Sequence, residues 1–237
     1  MNTKIGVFWG ALIFAAFVLS GCQKSKPANH FNGPPSVTLL SPKEGEVLPS
    51  QDVTVKFKLK NFVAYEGGPH LHIFLDDLPY VSYEKSVEPY TFTGVRPGAH
   101  AVRVLLTRPN GESYKNPEAF ALVNFYVQQK TGAPLFDKNK PILTVNLPHT
   151  GYYKGWIADR IEFDFLLKNL ILKKGEAHLR YTLDGLSFDL FQMKPVFWEN
   201  ARRIGTHHLK VELLDADNRP VTGNPYLTAK RDFIVVE

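Results

Sequence analysis

Cysteine is nearly missing from this chain: its 237 residues include one, Cys22, so no disulfide can form within it and its cores must be held by packing alone. Catalytic motifs are missing too, with no Gly-x-Ser-x-Gly, no His-Glu-x-x-His and no phosphate-cradling glycine loop. Carboxylates that stand together, such as Asp76 and Asp77, are sequence neighbours and so point to opposite faces of a strand or share a turn. An enzyme is therefore not expected. No helical apolar period outlasts two turns, which excludes a bundle.

Charge of one sign is lacking where a nucleic acid would need it. The formal net charge is +5, yet residues 35–128 carry 9 Lys+Arg against 10 Asp+Glu, and residues 141–237 carry 13 against 12. The basic excess thus lies in the leader and in 23–34 and 129–140, and neither half has a phosphate-tracking surface.

What is present begins with a leader. Lys4 precedes an apolar run of 15 residues, Ile5 to Leu19, which is short of the roughly 20 needed to span a bilayer. The run ends in Leu19-Ser20-Gly21-Cys22. This resembles the lipobox of bacterial lipoproteins, and the resemblance implies cleavage before Cys22 and acylation of Cys22, which would place the chain on a membrane. Gln23 in place of Asp implies, for Gram-negative members, the outer membrane. Residues 23–34 are polar and rich in turn-formers and read as a tether.

The body of the chain is a duplication. Gly68-Pro69-His70-Leu71-His72-Ile73-Phe74-Leu75-Asp76-Asp77 is echoed by Glu176-Ala177-His178-Leu179-Arg180-Tyr181-Thr182-Leu183-Asp184-Gly185, with His70 on His178 and Asp76 on Asp184. Val53, Val55, Phe57 and Leu59 alternate with Thr54, Lys56, Lys58 and Lys60, and Ile161, Phe163, Phe165 and Leu167 answer them. Each repeat yields about seven short strands separated by turn chemistry, the mark of a β-sandwich.

Gly98/His100/Val102/Val104 and Gly205/His207/Leu209/Val211, with Tyr181-Thr182-Leu183-Asp184-Gly185, are similar to the immunoglobulin-like and fibronectin-type-III-like modules of bacterial exported proteins. That resemblance implies a spacer, adhesion or ligand-presenting role and no single chemistry. The expected fold is all-β: two tandem immunoglobulin-like β-sandwiches after a lipoprotein signal peptide. Residues 1–21 are the signal peptide, 22–34 the lipidated tether, 35–128 the first sandwich, 129–140 a proline-stiffened linker and 141–237 the second sandwich.

Two sets of side chains invite a site. His70 and His72 put two imidazoles on one face of a strand, so Cu or Zn is the ligand to consider. A third ligand is not supplied by the spacing. His100 has the inward phase of its own strand and would lie at the far end of an antiparallel neighbour, leaving Asp76, Glu66 or another chain. Arg180 replaces His72 in the second repeat, so any such site belongs to the first. The plainer expectation is a solvated strand face. Tyr152, Tyr153 and Trp156 fall in a stretch read as a loop, where they could stack on a partner or fold over the core edge. His100 and His207 read as structural histidines that close a turn.

The function these readings favour is a membrane-anchored, exported, non-enzymatic module that binds or positions a protein or another envelope component, with no nucleic acid. The alternative is a periplasmic metal-binding lipoprotein using His70 and His72.

Overall fold

The period of two becomes sixteen strands among the described residues. The computed structural model describes residues 32–198 and 203–237, so the lipobox and Cys22 lie outside the described residues. The first repeat runs β1 (Ser36–Ser41), β2 (Val47–Leu48), β3 (Val53–Lys60), β4 (His70–Leu75), β5 (Val81–Tyr83), β6 (Tyr90–Phe92), β7 (Gly98–Thr107) and β8 (Phe120–Val127). The second runs β9 (Ile142–Leu147), β10 (Gly151–Tyr153), β11 (Ile161–Lys168), β12 (His178–Leu183), β13 (Leu186–Leu190), β14 (Val196–Trp198), β15 (Gly205–Leu214) and β16 (Thr228–Val235). Short 3₁₀ turns at Pro117–Ala119 and Gly155–Arg160 complete the described elements.

Strand order is the same in both repeats. Sheets β1-β3-β6 and β2-β8-β7-β4-β5 in the first correspond to β9-β11-β14 and β10-β16-β15-β12-β13 in the second. Each first strand splits, so that a short continuation (β2, β10) crosses to the other sheet and pairs parallel with the last strand. A three-stranded sheet facing a sheet built on the last strand is the immunoglobulin-like arrangement. One core gathers Val53, Val55, Leu71, Ile73, Val102, Val104 and Phe125; the other gathers Phe163, Phe165, Leu179, Val211 and Phe233. Alternation puts Phe163 and Phe165 in that core.

The turn after the signature strand is built twice with one chemistry. Asp76 and Asp184 sit at φ 52° and 49°, a conformation aspartate tolerates better than most residues. Asp76 Oδ2 accepts from His100 Nδ1 at 2.6 Å, and Asp184 Oδ2 accepts from His207 Nδ1 at 2.6 Å. The far nitrogens donate to Arg96 O and Arg203 O, both at 2.7 Å. These histidines are structural, as expected, but the carboxylate is an additional partner. The hydrogen bond that His100 donates to Asp76 raises the His100 pKa above its ordinary value against the opposing effect of burial.

The repeats are not beads on a linker. Residues Phe31–Glu237 form one compact unit, because the outer face of the five-stranded sheet of repeat 1 packs on the outer face of β9 and β11. Phe74, Leu105 and Leu166 bury together at this seam with Tyr80, Phe120 and Met193. The stretch 129–140 joins it: Phe136 is buried with Ala101 and Ile142. Arg103, 2% exposed, donates to Thr144 Oγ1 at 3.0 Å and lies over the rings of Phe74, Phe136 and Tyr226. A solvated outer face on β4 was the expectation, and the structure corrects it. His70 and His72 do point away from their own core, but repeat 2 covers them.

Asp164 sits fully buried at the centre of this seam. Its Oδ2 accepts from Ser113 N at 3.0 Å, Ser113 Oγ at 2.7 Å and Asn146 Nδ2 at 2.7 Å, and its Oδ1 pairs with Lys115 Nζ. Three of those four donors come from repeat 1. Removing one partner of a buried ion pair leaves an uncompensated charge, which costs about 3–5 kcal/mol. Lys115→Met should therefore lower stability by about 3–5 kcal/mol, and adding Asp164→Asn, which removes the charge but keeps an oxygen to accept from Ser113 and Asn146, should restore much of the loss. Urea denaturation of the two single variants and the double variant gives the coupling, and additive effects would show that the pair does not join the repeats.

Candidate functional site

The seam opens at one end into a cleft of about 930 Å³ whose walls come from both repeats, among them His70, His72 and Tyr80 from the first and His149, Tyr153 and Glu162 from the second. Its floor follows from local sequence. β4 is buried on both faces, with His70 8% and His72 1% exposed. Before it stands Gly68, whose carbonyl faces His70 Nδ1; a Cβ there would come within 2.2 Å of the Tyr65 ring, which a larger residue would have to displace. Tyr80 stacks flat on His72, with ring centroids 3.7 Å apart.

Asn146 reaches the cleft because β9 bulges. Leu147 pairs with Asp164 and Val145 with Phe165, so Asn146 is the extra residue between them, and a bulge re-aims a side chain. Leu40 is the corresponding extra residue in β1, and it is half exposed. Asn146 Nδ2 donates to Gly111 O at 2.8 Å and to Asp164 Oδ2 at 2.7 Å, leaving Oδ1 facing His72 Nδ1 at 2.6 Å. Gly111 has φ +86° in the turn that ends against repeat 2, and a Cβ there would meet His72 and Leu147 at 3.5–3.6 Å.

His70 Nδ1 lies 2.9 Å from Gly68 O, and the two Nε2 atoms of His70 and His72 face each other at 3.1 Å. Burial is the main cause that drives the His72 pKa down to about 3, so this ring stays neutral at ordinary pH. Glu162 goes the other way. Burial first, then the neighbouring Asp164 and Glu112 carboxylates, push it up to about 7. Its Oε2 accepts from Asn110 Nδ2 at 3.0 Å, while Oε1 finds no hydrogen-bond partner among the described residues.

The expected site residues divide. His70 and His72 come together; His100 is held at the other end of the paired strands, where β4 and β7 place His70 opposite Thr107 and Leu75 opposite Val102. Among the described residues no group of three His, Cys, Asp or Glu side chains is placed to hold a metal. Tyr152 and Tyr153 lie in β10 rather than a loop, and their pairing with β16 sends Tyr152 to solvent (69% exposed) and Tyr153 into the core (5%). Trp156 is in the 3₁₀ turn Gly155–Arg160, and its side chain lies outside the described residues. Asn146, Asp164, Lys115, Tyr80, His149 and Glu162 were not singled out by sequence. The readable signal is on β11, where Asp164 reverses the charge of Lys56 and Leu166 breaks the polar phase at the position of Lys58.

No protein-family model matches the sequence and no curated protein does. Among solved structures the chain is similar to the fibronectin(III)-like modules of Clostridium thermocellum CbhA, at 16% identity over 84% of this chain and 93% of that one, TM-score 0.31. It is similar to the central fibronectin-III array of RIM-binding protein, at 12% identity over 85% and 68%, TM-score 0.30. A third is Bacteroides ovatus SGBP-B in complex with a mixed-linkage heptasaccharide, at 8% identity over 85% and 48%, TM-score 0.26. The two sandwiches are established by the sheets themselves.

Glu162 gives the cleft a pH signature. The folded state holds its proton up to about pH 7 while the unfolded chain releases it near 4.5, so stability falls as pH rises through that window. Glu162→Gln removes the penalty. Urea midpoints of the wild type and this variant should diverge between pH 5 and pH 8, the variant becoming the more stable at pH 8; a constant difference would contradict a buried, protonated Glu162.

Proposed function

We propose that this chain is an exported lipoprotein, held at the bacterial outer membrane through Cys22, whose paired sandwiches form a non-enzymatic body that binds or positions a protein or another envelope component. The anchor is supported by the order of Lys4, the apolar run and Leu19-Ser20-Gly21-Cys22. The binding role is supported by one observation above others, the cleft whose walls need both repeats in fixed relation. Pockets at the junction of two packed units, largely apolar with a few polar groups converging on them, are where ligands are taken. Tyr80, Tyr153, Ile157 and Phe197 give this one its apolar lining, and Arg160 and Glu162 its polar groups. The alternative, an envelope protein that holds copper or zinc through His70 and His72, rests on the geometry of that pair.

Acyl chains contribute about 0.8 kcal/mol per buried methylene, so two or three on one residue hold a protein on a membrane. The full-length protein should label with palmitate and sediment with the outer membrane, and Cys22→Ser should abolish both. A photo-crosslinker at Ile157, in the cleft, should form an adduct in intact cells that one at Lys58, on the opposite sheet, does not. An unmodified thiol at residue 22 would sink the anchor, and equal crosslinking at both positions would sink the cleft as the binding surface.

A further inference from the structure

The geometry points to a metal site at the floor of the cleft, in which His70 Nε2 and His72 Nε2 together bind one Zn²⁺-like cation and leave its other coordination positions open to the cleft. The inference rests on the metal-holding alternative given above, which it deepens by assigning the ligating atoms and the open positions; neither the anchor nor a protein partner enters the argument.

The proton inventory carries it. Asn146 Nδ2 faces two groups that only accept, Gly111 O and the Asp164 carboxylate, so the amide orientation is fixed and Oδ1 must accept from His72 Nδ1. His72 therefore carries its proton on Nδ1. His70 Nδ1 faces a carbonyl, Gly68 O, and must donate as well. In the neutral form of each ring the lone pair is then on Nε2, and those two atoms are 3.1 Å apart. Two lone pairs aimed at each other at that distance repel unless something positive sits between them.

The arrangement around the pair is that of ligating imidazoles. Such a histidine donates its second N–H to a carbonyl or carboxylate-linked acceptor, which fixes tautomer and ring plane. Here Gly68 O serves His70, and Asn146, itself held by Asp164, serves His72. Two nitrogens at about 2.0–2.1 Å from a tetrahedral zinc stand about 3.3 Å apart, close to the spacing found. The Tyr80 ring on His72 adds a fixed wall. No third His, Cys, Asp or Glu completes a cluster with the pair among the described residues, so the remaining positions fall to water or to a ligand in the cleft, the open pattern that zinc sites keep when they bind something else. In repeat 2, Arg180 replaces His72, and His178 Nε2 has no hydrogen-bond partner among the described residues, so the second copy holds no such pair.

The test uses the full-length protein, purified in detergent, stripped with chelator and given Zn²⁺. One equivalent should bind, and X-ray absorption at the zinc edge should show two imidazole nitrogens in the shell. Asn146→Ala should weaken binding about 10–100-fold, as loss of an orienting partner does, while His208→Ala, exposed on β15 and paired with Asp232, should leave it within about twofold. His70→Ala should abolish stoichiometric uptake, and because the absorption measurement reads the wild type directly, a misfolded variant does not decide the matter. No uptake, or a shell with fewer than two imidazoles, would overturn the site and leave a shared proton as what sits between the rings. Either result can coexist with success or failure of the palmitate and crosslinking experiments.

Discussion

A carboxylate carried into a protein interior has to be met by donors, and Asp164 meets most of its donors on the other repeat. Ser113 and Lys115 reach it from the stretch between β7 and β8, so the carboxylate is satisfied only when the two sandwiches lie face to face. Its third partner, Asn146, is thereby held in the one orientation that presents its oxygen to His72. Seam, bulge, imidazole tautomer and cleft floor thus form one chain of dependence. The apolar contacts of Phe74, Leu105 and Leu166 supply area; the polar cluster supplies register, because displacing it would leave buried groups unsatisfied.

The duplicated module was used unequally. Both copies keep the strand order, the positive-φ aspartates and the aspartate–histidine turn. They differ on their outer faces. Repeat 1 has Ala101, Arg103, Leu105 and Thr107 on the outer phase of β7, all buried, where repeat 2 has the exposed His208 and Lys210 on β15. On the three-stranded sheets the contrast reverses: Lys56, Lys58 and Lys60 on β3 face water, while Glu162, Asp164 and Leu166 on β11 are buried. Each copy kept one face polar and gave up the other, so the two join side by side.

This contrast also explains what could be read in advance. Alternation located the strands and the inward residues of each core, because an inward phase is apolar whatever lies outside. Burial of the outward phase is not carried by alternation, although Ala101 to Leu106, interrupted by Arg103 alone, is the near-continuous apolar run of a strand covered on both faces. His70 and His72 were legible as a pair on one face. Asn146 was not, since a bulge shifts phase by one residue and only the register with β11 reveals it. The partners of Asp164 lie 18 to 51 positions away in sequence, a separation that no local pattern encodes.

The central claim, that residues 35–128 and 141–237 move as one body locked at Asp164, is most directly tested by residual dipolar couplings measured for the backbone amides of both repeats. One alignment tensor should fit both sets in the wild type, and two different tensors should be needed after Lys115→Met. Two independent tensors in the wild type would contradict the account.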